Sequence, residues 1–242
     1  MSDPAVELAL LLRPGIERCR AERVPFVVAI TGSVAVGKSA TAALLREQLA
    51  GGDDPLAVEI VSSDGFLFPN RVLDARGLSM RKGFPETYDR DAIVQFLADL
   101  KAGVPEIRVP LYSHEHYDVL DEHQVVATVD VDAVVVEGLH LVGYGAAVDV
   151  AVYVDAEEAD IERWYVERFL ARCRSGDEFY RQFAGFSDDE AVAFARQVWD
   201  AINRVNLHQH ILPTREWADV VVEKAADHSV RRIRLPRGNM TG

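Results

Sequence analysis

Residues 32–39 read Gly32-Ser33-Val34-Ala35-Val36-Gly37-Lys38-Ser39. The spacing fits G-x-x-x-x-G-K-[ST], a loop that cradles phosphate groups. Each fixed position has a chemical reason. Gly32 and Gly37 let the backbone bend back and aim its N–H groups at phosphate oxygens. Lys38 reaches the β- and γ-phosphates, and the Ser39 hydroxyl suits Mg²⁺. Ala40 opens a helix pattern over residues 40–49, whose positive end faces the same anion. Before the loop, residues 26–31 (FVVAIT) form an apolar run of buried-strand type. Strand, loop and helix in that order are the context the motif requires.

The chain around this unit has 242 residues, 26 basic and 39 acidic, with a net charge of −13. That balance opposes non-specific attachment to nucleic acid or anionic membrane, and it obliges any anionic substrate to find a local basic pocket. The two cysteines, Cys19 and Cys173, are far apart and form no C-x-x-C pair. They read as reduced thiols of a cytoplasmic protein. The first residues lack a basic leader, and no apolar stretch reaches membrane-spanning length.

Strand patterns recur at 56–63, 131–136, 148–154, 220–223 and 232–235. Helix patterns recur at 4–23, 91–101, 157–174 and 187–206, with a break or kink predicted at Pro14-Gly15 and a capping box at Ser187-x-x-Glu190. Residues 70–88 read as loop, 109–119 as irregular, and 236–242 as a loose tail. The alternation predicts an α/β fold with a mainly parallel sheet and helices on both faces. Ligands then gather at the C-terminal strand ends. There the chain places the phosphate loop, Asp64 and Glu137. A cradle and two carboxylates on one rim suit phosphoryl transfer to a hydroxyl: one acid on the Mg²⁺ side, the other to orient the acceptor or take its proton.

The helix at 157–174 carries Tyr165, Arg168 and Arg172 on one face. Arg163 pairs with Glu167 by spacing, whereas Arg168 and Arg172 have no acidic neighbour at helical spacing. They suit a lid that holds γ-phosphate charge in the transition state. His114-x-His116 and His208-x-His210 lack the companions of a metal site, so a hydrogen-bonding role in a substrate pocket suits His114 better.

Beyond the loop, the segments SSDGFLFPN, KGFPETYD, VPLYSHEHYDV, VVVEGLHLV, WYVERFL, INRVNLHQHILPTRE and ADHSV follow in order. With them the chain resembles the type I, bacterial-type pantothenate kinases, within the P-loop kinases that include uridine kinase and phosphoribulokinase. The resemblance implies a single P-loop kinase domain over 1–242, with an N-terminal helical segment (1–24) and a helical lid and acceptor region (157–206). It implies transfer of phosphate from ATP to pantothenate, the first step towards coenzyme A, and a homodimer. Carried over by residue, Lys38 and Ser39 serve ATP and Mg²⁺, and Asp64 is the catalytic base. Glu137 is the Mg²⁺-side acid. Tyr112, His114, Tyr165, Arg168 and Asn203 form the pantothenate pocket, and His228 lies near the adenine.

The chain departs from the family in its short region before the first strand and at Ala43, where an Arg linked to coenzyme A inhibition is expected. It departs also at Arg172-Cys173, in place of an aromatic side chain, and at His140 and His210, in place of Asn. These leave open an acceptor other than pantothenate, such as a nucleoside or a sugar phosphate, and a nucleotide-binding relative without transferase activity.

Overall fold

The computed structural model describes residues 4–143 and 147–235. Strand β1 (Phe26–Gly32) is buried along its whole length. Such a strand must be covered on both faces, the condition of a central strand in a parallel sheet. It pairs in parallel with β5 (Ala133–Glu137) and β6 (Val150–Asp155). β2 (Val58–Ser62) joins β5 and β7 (Val220–Lys224) joins β6, again parallel, while β8 (Val230–Arg234) closes the edge antiparallel to β7. The order is β2-β5-β1-β6-β7-β8.

The side-chain alternation of β1 splits the core in two. Phe26, Val28 and Ile30 pack with residues of α1 (Pro4–Glu22) and α2 (Lys38–Ala50), including Leu12, Leu45 and Leu49. Val27 and Ala29 pack on the other face with Ile93, Phe96 and Leu97 of α4 (Arg90–Lys101). The α/β architecture with helices on both faces is therefore as the sequence predicts.

Four local expectations change. Pro14 lies inside α1, which runs unbroken from Pro4 to Glu22. Leu8, Leu12 and Ile16 are buried on its inner face, and that packing outweighs the lost hydrogen bond. The stretch 109–119 belongs to an antiparallel hairpin of β3 (Glu106–Ser113) and β4 (Asp118–Ala127). Pro110 and a register shift between Pro110 and Tyr112 break the two-residue alternation that would have revealed it. Residues 70–88 contain α3 (Asn70–Ala75) and short 3₁₀ turns. After α5 (Glu158–Ser175), the Ser187 capping box starts α6 (Asp188–Val198) as expected. That helix then passes into a π-helical turn (Trp199–Asn203), α7 (Arg204–Asn206) and a second π turn (Leu207–Ile211). The tail expected at 236–242 lies outside the described residues.

Candidate active site

The phosphate loop sits at the C-terminal end of β1. Gly32 backs directly onto β6: a Cβ there would lie 2.3 Å from the Val154 carbonyl oxygen. Gly37 takes φ +88° and caps α2, which has no side-chain cap and no acidic residue in its first turn. The helix therefore offers free N–H groups and a positive end to an anion. Lys38 Nζ donates to the Ser33 carbonyl at 2.9 Å, folded across the loop. Burial holds Lys38 down to about 8, against the opposing pull of Glu137 and Asp64. Ser33 Oγ is buried and has no hydrogen-bond partner. A cradle with an idle hydroxyl and a desolvated ammonium is built to take up negative charge.

Glu137 ends β5 and Ser62 ends β2 in register with it, so Asp64 follows two residues beyond the same rim. Ser39 Oγ donates to Glu137 Oε1 at 3.1 Å. Burial raises the Glu137 pKa, with Lys38 and the Ser39 hydroxyl working the other way. A hydroxyl and a carboxylate in contact beside a phosphate cradle are the hard oxygen donors that Mg²⁺ prefers. On the other side, the Tyr88 hydroxyl donates to Asp64 Oδ1 at 3.1 Å. Burial and the Asp64 charge push the Tyr88 phenol well above its ordinary value, so it stays a donor at any working pH.

Around Asp64 the fold gathers side chains from distant segments. Lys82 Nζ donates to Asn70 Oδ1 (2.6 Å) and to the Tyr117 carbonyl (2.5 Å), and lies over the Tyr117 ring at 4.3 Å and the Tyr112 ring at 5.0 Å. Burial lowers its pKa to about 8, with Asp118 and Asp64 opposing. Desolvation, aided by Arg172 and Arg168, pushes the His114 ring below its ordinary value while Asp64 pulls it up. Burial raises the Tyr165 phenol on α5 above its ordinary value, while the neighbouring Asn203 and Arg168 work the other way. Asp64, Tyr112, His114, Tyr165, Arg168 and Asn203 thus lie in one neighbourhood.

Two sequence-derived residues have surroundings that spacing does not show. Arg172 is no free cation: its Nη1 bonds Asp177 Oδ2 at 2.6 Å, just past the end of α5, a partner invisible to helical spacing. His228 lies in the β7–β8 turn with φ +68°, stacked on Trp164 at 4.1 Å. It lines a cavity of ≈ 270 Å³ together with Thr41, Leu44 and Leu45 of α2. Arg168 makes no ion pair among the described residues. Lys82, Tyr88 and Tyr117 were not singled out from the sequence. Their signal was there: KGFPETYD holds two of them, and YSHEHYD the third.

Residues 27–231 match the Phosphoribulokinase / Uridine kinase family. The chain belongs to that family. The Pantothenate kinase of Sorangium cellulosum (strain So ce56) is 49% identical to it over 229 residues, covering 89% of this chain and 74% of that protein. The Pantothenate kinase of Clavibacter sepedonicus is 46% identical, covering 89% and 72%. Among solved structures, a protein provisionally named a fructose transport system kinase, from Silicibacter sp. TM1040, superposes with a TM-score of 0.65 at 25% identity, covering 86% of this chain and 93% of that one. As a member of the phosphoribulokinase/uridine kinase family the chain is a kinase that uses ATP. Among the described residues no helix is long and apolar enough to cross a membrane.

Proposed function

We propose that this kinase phosphorylates pantothenate, transferring the γ-phosphoryl group of Mg²⁺-ATP to its primary hydroxyl to give 4′-phosphopantothenate and ADP. The observation that carries the reading is the Asp64 carboxylate, fixed by Tyr88 at 3.1 Å between Lys38 of the phosphate loop and Lys82. The identity to pantothenate kinases supports the choice of acceptor.

Tyr88 occupies one carboxylate oxygen and leaves the other to take the acceptor's hydroxyl proton. As that proton moves to Asp64, the hydroxyl oxygen bonds the γ-phosphorus. The bond from phosphorus to the bridging oxygen breaks, and ADP leaves with the electron pair. Lys38 holds the charge of the transferring group, and Arg168 on α5 closes over it. Ser39 and Glu137 would hold Mg²⁺, which would supply neutralisation of phosphate charge. Lys82 is the cation for the acceptor's carboxylate. Tyr112, His114, Tyr165 and Asn203 provide hydrogen bonds to its hydroxyl and amide groups. His228 borders the base. By family resemblance the kinase is a cytoplasmic homodimer serving coenzyme A synthesis.

ADP release with Mg²⁺-ATP, compared across pantothenate, uridine, ribulose 5-phosphate and no acceptor, tests the reading. Release with pantothenate alone supports it. Release with another acceptor, or with none while ATP still binds, sinks it.

A further inference from the structure

Lys224, at the end of β7, is a charge that the site described above does not use. The residue is 7% exposed. Among the described residues no carboxylate lies within ion-pair distance of it. Its polar contact is a 3.4 Å approach of Nζ to the Gly37 carbonyl. That oxygen already accepts from Thr41 N at 3.0 Å and Thr41 Oγ1 at 2.9 Å. The adjacent Glu223 is engaged elsewhere, by Arg215 at 3.5 Å and Arg232 at 2.8 Å.

An ammonium buried without a counter-ion is costly, and burial pushes Lys224 below its ordinary value. Its place adds to the cost. Nζ stands at the first turn of α2, 2.6 Å from where a Cβ on Gly37 would be, and a helix N-terminus repels a cation. A positive helix end without an acidic cap and a desolvated, unpaired ammonium at that same end both lack an anion.

We propose that Lys224 is a second phosphate-binding lysine, contacting the nucleotide's α- or β-phosphate on the nucleoside side of the loop. Lys38 folds across the loop towards Ser33. Lys224 approaches Gly37 instead and also lines the ≈ 270 Å³ cavity with Thr41, Leu44, Leu45, His228 and Val230. That cavity has the apolar walls that suit a base. A lysine between it and the loop meets the phosphates nearest the nucleoside, not the one transferred. The inference rests on the reading of the loop as the ATP site.

The test is calorimetric binding of Mg²⁺-ATP and Mg²⁺-ADP to the wild type, Lys224→Met and Lys224→Arg, with melting curves of the ligand-free proteins. Lys224→Met is expected to bind both nucleotides about 10- to 100-fold more weakly, and equally so, as for loss of a charged hydrogen bond. Lys224→Arg keeps the charge and retains more affinity than Lys224→Met. Without ligand, Lys224→Met melts above the wild type, because the unpaired charge is gone. Unchanged affinity, or a loss confined to ATP, overturns the inference. So does a Lys224→Met protein that melts lower or fails to fold, since the lysine then serves the fold. A wild type that binds neither nucleotide overturns the nucleotide reading itself, which is a different result.

Discussion

The two halves of the proposed site are built by opposite means. The nucleotide half is mostly backbone from one stretch: the turn at Gly32–Ser39 and the first turn of α2, with Glu137 alongside. The acceptor half is side chains from segments that meet only in three dimensions: Asp64 after β2, Lys82 and Tyr88 from the turns before α4, Tyr112 and Tyr117 from the hairpin, Tyr165 and Arg168 from α5, Asn203 from a π turn. A backbone cradle recognises any phosphate chain. A cluster of side chains recognises one acceptor, and it can be retuned residue by residue. The difference teaches where divergence in this family has room to act.

The comparison breaks most visibly at Asp64, which faces both halves. Asp64→Asn keeps the shape and the Tyr88 contact but removes the base, and turnover is expected to fall by about 10²–10⁴. Nucleotide affinity by calorimetry should stay near that of the wild type. A turnover close to wild type would end the assignment of Asp64 as base. A smaller effect belongs to Lys82. Lys82→Met should raise the pantothenate KM by about 10- to 100-fold, the loss of a charge-assisted hydrogen bond, and leave the KM for ATP in place. If both constants moved together, the two halves would not be separable as described.

The same contrast governs what could be read from sequence. The loop and its flanking strand and helix are local in sequence, so spacing alone finds them. The strand-end rule points to Asp64 and Glu137, because β5 is a continuous apolar run ending in Glu137 and β2 ends at Ser62, two residues before Asp64. Arg172 misled, because its partner Asp177 lies beyond the helix, where i+4 arithmetic does not apply. The hairpin was missed because Pro110 and the adjacent register shift interrupt its alternation. Lys82 and Lys224 were missed for a shared reason. Their significance is burial without sufficient opposite charge, and burial at the end of a strand or in a turn is a property of the tertiary fold.

Charge state sharpens the comparison further. In the ligand-free protein Lys38 and Lys82 both have pKa values lowered to about 8. The charged form binds phosphate or carboxylate, so above pH 8 each ligand must bring a proton with it. Affinity then falls by up to about tenfold per pH unit for each lysine concerned. Stability runs the other way. From about pH 8 to about pH 10 the unfolded chain, with ordinary lysines, holds protons that the folded one has lost, so ligand-free stability rises with pH across that window. Denaturant midpoints and nucleotide dissociation constants from pH 7 to 9.5 should show these opposite slopes. In Lys82→Met the nucleotide slope should persist while the pantothenate slope flattens. Loss of both slopes would mean that one shared group, not one lysine per half, sets the profile.

The smallest effect is expected at the outer edge of the acceptor half. There the hairpin tip is fastened to the segment after α5 by three contacts. Phe179 N donates to the Glu115 carbonyl at 3.1 Å, His116 Nδ1 meets Glu178 Oε2 at 2.8 Å, and the Tyr117 and Phe179 rings stack at 4.2 Å. The His116–Glu178 pair is about half exposed on both sides, 49% and 58%, so its contribution is at most about 1 kcal/mol. The stack shields Tyr117, whose carbonyl holds Lys82, and pairs of that kind contribute about 0.5–1.5 kcal/mol beyond the area they bury. His116→Ala should therefore raise the pantothenate KM no more than about fivefold, and the effect should shrink in high salt. Phe179→Ala should raise it more, with little response to salt, because it loosens the ring beneath Lys82. Both should leave nucleotide affinity untouched, because no part of this fastening reaches the loop at Gly32–Ser39. A salt-sensitive loss larger for His116→Ala than for Phe179→Ala would mean that the ion pair, and not the stacked rings, keeps Lys82 in place.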